Sequence, residues 1–115
     1  MENEKIIAFS LKMNDLSEYQ RLIKPPQSVG MHSGRVVVQK GGNVGEHSTE
    51  NYEEMLIILG GFGKAEIEGD PITQEKRVLP LEAGTIVYIP PHKKHDVFNT
   101  GKGELSYIFV VSQIS

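Results

Sequence analysis

Three of the four histidines fall in two short windows, GEHSTENYEE at 45–54 and PPHKKHDVFN at 90–99, and each window leads into a strand-like stretch. In a β-strand alternate residues share a face, so Glu54 goes with Leu56 and Ile58, and His95 with Val97 and Asn99. A carboxylate on the inner face of a small barrel is costly without a counter-charge, which a divalent cation supplies. His47, Glu54 and His95 together make two imidazoles and a carboxylate, the ligand set of a facial triad with coordination positions left open. The chain has no Cys, so nitrogen and oxygen must hold any metal. Iron(II), zinc, manganese, nickel and copper all tolerate this set. The competing reading is a hydrogen-bonded polar cluster in an inert barrel.

Around this triad stand residues with smaller roles. His92, beside two lysines, reads as a rim residue that is also a candidate acid or base, and Tyr52 is a second candidate at the entrance. His32 reads as an exposed or hydrogen-bonded strand residue, and Glu53 as a solvated charge on the face opposite Glu54. Arg35 binds an anionic substrate if it faces inward and is otherwise a surface strand arginine.

The elements that must position these groups are short apolar stretches between turn residues. They are IIAF at 6–9, GRVVVQ at 34–39, EMLIIL at 54–59, KAEIE at 64–68, RVLPL at 77–81, TIVYI at 85–89, HDVF at 95–98 and LSYIFVV at 105–111. Their length and β-branched content predict strands, hence an all-β sandwich or barrel. EMLIIL and LSYIFVV show no polar alternation, which predicts burial on both faces or, for the second, an outer face that meets another subunit. One short helix is expected in NDLSEYQRLI at 14–23, capped by Asn14 or Asp15, with Leu16, Tyr19 and Ile23 on one side.

At 115 residues the chain suits one domain. Twelve Lys plus Arg against fifteen Asp plus Glu, with no long basic run, argue against nucleic acid as a partner. The opening lacks the pattern of a signal peptide and no apolar run reaches membrane-spanning length, so no membrane partner is expected and the cytoplasm is the expected location.

Two spaced patterns resemble the motifs of the cupins. Gly41, His47, Glu54 and Gly61 fall on the first, with Thr49 where a second His belongs; Gly84, Pro90, His95 and Asn99 fall on the second, with His92 in place of its internal Gly. The resemblance covers Gly34 to Val111. It implies a double-stranded β-helix, or jelly-roll, barrel over 31–115, behind a short N-terminal arm over 1–30. It also implies metal ligands at four positions, of which His47, Glu54 and His95 are retained, with His92 an alternative replacement for the one missing at Thr49, and pairing as a homodimer. Three functions follow: a metal-dependent enzyme of dioxygenase, isomerase or decarboxylase type acting on a small organic molecule; a non-catalytic small-molecule or metal-binding sensor; or a metal-free structural module.

Overall fold

A computed structural model describes residues 5–14, 17–69 and 71–114. It contains eight strands: β1 (Tyr19–Ile23), β2 (Met31–Val38), β3 (Tyr52–Gly60), β4 (Phe62–Ile67), β5 (Arg77–Glu82), β6 (Ile86–Ile89), β7 (His95–Asn99) and β8 (Leu105–Gln113). All pairings are antiparallel. They build a five-stranded sheet, β1-β2-β8-β3-β6, and a three-stranded sheet, β5-β4-β7. This is the expected all-β jelly-roll. Among the described residues no helix is long and apolar enough to cross a membrane.

The core lies between the sheets. Leu56, Ile58, Val87, Ile89, Leu105 and Tyr107 from the larger sheet meet Ala65, Ile67, Leu81 and Val97 from the smaller. Burying a side chain such as Leu56, which is 1% exposed, is worth about 1.5–3 kcal/mol. The chain crosses between sheets at Gly60-Gly61. Gly61 has φ 87°, and a Cβ there would strike the Glu104 carbonyl oxygen, so this crossing needs glycine.

Three expectations are corrected. The helix over 14–23 does not form: Tyr19–Ile23 is the strand β1, and Asp15 and Leu16 lie outside the described residues. So short an isolated helix is marginal in water, whereas β1 gains a ladder in which Tyr19 pairs with Val36, Gln20 with Arg35 and Arg21 with Gly34. The stretch 6–9 belongs to no strand. Finally, β3 is buried on one face only. Glu54, Leu56 and Ile58 are buried, while Met55 and Leu59 are exposed and Ile57 is half-buried. β8, central in its sheet, likewise buries Leu105 and Tyr107 and leaves Ile108 and Val110 half-buried.

Candidate metal centre

The two histidines of the triad come from one backbone pair. His47 and His95 form an isolated antiparallel bridge, with His47 N–H donating to the His95 carbonyl at 3.0 Å and His95 N–H donating to the His47 carbonyl at 2.8 Å. Their rings stand 4.4 Å apart between centroids. β7 carries His95, and the segment 43–47 is laid along its free edge. Asp96 secures that segment: its carboxylate is buried and accepts hydrogen bonds from Asn43 Nδ2 and Gly45 N–H, both at 2.8 Å, as well as from Val97 N–H. Asn99 pins the other end of β7 by donating to the Val38 and Gly103 carbonyls.

Each imidazole is also oriented through one nitrogen. His47 Nδ1 lies 2.7 Å from the Gly45 carbonyl, and His95 Nδ1 lies 2.9 Å from the Lys93 carbonyl. A carbonyl can only accept, so both Nδ1 atoms carry the proton and each neutral ring keeps its lone pair on Nε2. Metal-binding histidines are commonly fixed this way. Glu54 reaches in from the opposite sheet. Its Oε1 lies 3.0 Å from His95 Nε2, and a ligand atom from each of His47, Glu54 and His95 falls within 4.8 Å of the others.

Whether these residues fit a cation is tested by the partners of the converging atoms. Glu54 Oε1 and His95 Nε2 are buried and neither has a hydrogen-bond partner of good geometry, despite the 3.0 Å between them. Buried polar atoms without partners are rare and costly. Two ligands about 2.1 Å from one ion at right angles lie about 3 Å apart, so the spacing suits a shared cation. Burial disfavours a charged His95, but the Glu54 carboxylate, the Lys93 carbonyl and the Asp96 charge outweigh it and raise its pKa. Without a metal, a proton fills the same gap.

The other candidates fall elsewhere. Thr49 lines the cavity, but its hydroxyl donates to the Tyr52 carbonyl at 2.9 Å and forms a turn. His92 has φ 63°, the left-handed geometry for which a glycine is the usual choice, and its ring lies 3.9 Å from exposed Glu50 rather than in the cavity. Tyr52 lies edge-on to His32, with ring centroids 5.6 Å apart. Glu53 faces outward and accepts from the Tyr88 hydroxyl. Arg35 is neither an inward anion binder nor a surface residue. It projects from the outer side of β2, is 6% exposed, and donates to the Ser17 carbonyl at 2.8 Å.

The triad stands at the edge of a cavity of about 320 Å³ walled by Tyr19, Val36, Leu56, Val97, Tyr107 and Phe109. Sequence reasoning missed Tyr107. Burial, then the charges of Glu54 and Asp96, push its phenol well above the usual tyrosine range, so it remains a hydrogen-bond donor. The alternation of β8 would have found it, because Leu105, Tyr107, Phe109 and Val111 share the inner face.

The Cupin domain profile matches residues 34–111. The chain is a cupin. Over 55 residues this cupin is 36% identical to the glucose-6-phosphate isomerases of Pyrococcus abyssi and Pyrococcus horikoshii, a match covering 48% of the chain and 28% of each isomerase. The chain thus spans well under a third of those relatives. Among solved structures, it resembles a Cupin 2 conserved barrel domain protein from Salinispora arenicola (25% identity, TM-score 0.69, covering 94% of this chain and 92% of that one). It also resembles a predicted oxalate decarboxylase from Thermotoga maritima (22% identity, TM-score 0.71, covering 84% and 79%), a likeness of fold alone.

Proposed function

We propose that this cupin is a divalent-metal-dependent enzyme acting on a small organic molecule, of dioxygenase, isomerase or decarboxylase type, with His47, Glu54 and His95 as the metal ligands. The observation that carries the reading is the convergence of two buried atoms, Glu54 Oε1 and His95 Nε2, that lie 3.0 Å apart at the cavity edge and meet no other polar partner. A bound cation supplies Lewis acidity or, if redox-active, electron transfer. The chain's own residues do the rest. Val36, Leu56, Val97 and Phe109 exclude water from one side of the substrate, and the Tyr107 hydroxyl, held protonated, donates a hydrogen bond to a substrate oxygen. Thr49, turned toward the backbone, leaves the fourth ligand position to water or substrate.

A non-catalytic binder is the second reading, favoured by one feature. Apart from the ligands, Tyr107 and Tyr19 are the cavity's titratable groups among the described residues, and a raised tyrosine is no base. We also propose that two copies of the chain pair through the outer face of the larger sheet. Met55, Ile57, Ile86 and Tyr88 are neighbours there, and the N-terminal arm carries Ile7, Phe9, Leu11 and Met13, all exposed. A single chain therefore presents an apolar sheet face and an arm with exposed apolar side chains, which a second copy can cover reciprocally.

Elemental analysis of protein purified without tag or chelator tests the metal reading. A near-stoichiometric transition metal is expected, lost in His47→Ala and in His95→Ala and kept in His92→Ala. No metal, with none taken up from iron, zinc, manganese, nickel or copper, would remove both metal-dependent readings.

A further inference from the structure

The metal centre occupies one end of a longer trough. A second cavity of about 320 Å³ is walled by Arg21, His32 and Tyr52 and shares Thr49, Phe109 and Val111 with the first. The strand register makes its floor continuous: His32 pairs with Val111 and Val111 with Glu54, so one transverse row runs from His32 to the triad. Neighbouring strands lie about 4.8 Å apart, which puts the His32 and Glu54 backbones about 10 Å from one another.

Arg21 belongs to this trough by alternation. It shares the inner side of β1 with Tyr19, which lines the first cavity, and it pairs with Gly34. A Cβ on Gly34 would come within 2.6 Å of the Phe109 ring, so the missing side chain is what lets that ring lie flat across the sheet. Tyr19 stacks on Phe109 at 6.3 Å, and the Arg21 guanidinium lies 5.9 Å from the centre of the Tyr19 ring. The Tyr19 contact thus sets an exposed cation at the wall of the second cavity. Among the described residues, neither the Arg21 nor the His32 side chain has a carboxylate or hydrogen-bond partner, the His32 ring meeting only the edge of Tyr52.

We propose that Arg21, assisted by His32, binds an anionic oxygen group of the substrate, a carboxylate or a phosphate, while the reacting end lies at the triad. The proposal rests on the metal-centre reading for what the far end of the molecule does. The guanidinium's planar fork of donors matches both groups. The substrate class is then a short, oxygen-rich organic acid or phosphorylated molecule, long enough to bridge the row from His32 to Glu54.

Calorimetric titration of the purified protein with 3-phosphoglycerate, glycerate and neutral glycerol tests this, with metal content measured on each sample. At least one anionic probe is expected to bind, with glycerol about tenfold weaker or more. Arg21→Gln is expected to weaken the anion about tenfold or more without changing metal content, and Arg21→Lys to recover part of the loss. Tighter binding of 3-phosphoglycerate names phosphate as the recognised group; tighter binding of glycerate names carboxylate. The inference is overturned if Arg21→Gln binds within about twofold of the wild type, if glycerol binds as well as the anions, or if neither anion binds. Arg21-dependent binding in metal-free protein would uphold it while removing the metal reading. Metal retained with binding indifferent to Arg21 would do the reverse.

Discussion

The two faces of the five-stranded sheet are built from similar residues and serve different ends. On β3, Leu56 and Ile58 point inward and are at most 2% exposed, while their neighbours Met55 and Leu59 point outward at 38% and 39%. β6 repeats the contrast, with Val87 and Ile89 buried and Ile86 and Tyr88 more than half exposed. Composition cannot distinguish these faces. Placement of the three-stranded sheet does, because it covers one side, brings His95 opposite Glu54, and encloses the cavity. At β3 and β6 the outer side keeps its apolar character while remaining exposed, the region the proposed pairing would cover.

The sharpest way to break this contrast is to truncate neighbours on β3. Leu56→Ala is expected to lower unfolding free energy by about 2–5 kcal/mol in urea denaturation, and Met55→Ala by less than about 1 kcal/mol. Equal losses would mean that the faces are not energetically distinct. Charging the outer face with Met55→Lys and Tyr88→Lys is expected to convert a dimer to a monomer in sedimentation velocity while leaving the metal content intact. A wild type that sediments as a monomer would refute the pairing.

The smaller sheet sharpens the comparison from its own outer side, where Asp96 grips the segment bearing His47. Asp96→Asn removes a charge that accepts three hydrogen bonds, and metal affinity is expected to fall about 10–100-fold in competition with a chelator. Unchanged affinity would show that the segment holds its place without it.

The smallest effect concerns pH. Because the His95 pKa is raised above the ordinary 6.5, a proton competes with metal from a higher pH than at an unperturbed histidine. Metal affinity is expected to weaken as pH falls through that raised value. In metal-free protein the sign reverses. The protonated His95–Glu54 pair adds stability at acid pH, fully present below the unfolded-state value and lost as pH rises through the folded-state value, and thermal melts at several pH values read it out. A melting temperature indifferent to pH in metal-free protein would contradict the raised value.

Much of this was legible in the residues. Motif spacing placed His47, Glu54 and His95 together because glycine and proline positions fix where the strands turn, and the observed bridge and short Glu54–His95 distance agree. β1 was missed because Leu16, Tyr19 and Ile23 satisfy a helical period as readily as Tyr19, Arg21 and Ile23 satisfy alternation, and only pairing with β2 decides between them. Reading β1 as a helix also hid the inward parity of Arg21, while Arg35, an anion binder only if it faced inward, is turned outward by its own parity. On β8 the apolar outer face masked the alternation that would have identified Tyr107.

The rung joining His47 to His95 has a consequence in time. Both imidazoles hang from one pair of mutually hydrogen-bonded residues, so fluctuations of the barrel carry them together and leave their separation nearly constant. If the proposed triad holds an ion, its release would be coupled to opening of that rung, a local unfolding event of residues 43–47. The dissociation rate should then follow the opening rate of the His47 and His95 amides, and hydrogen exchange at those two positions would clock the residence time of the metal.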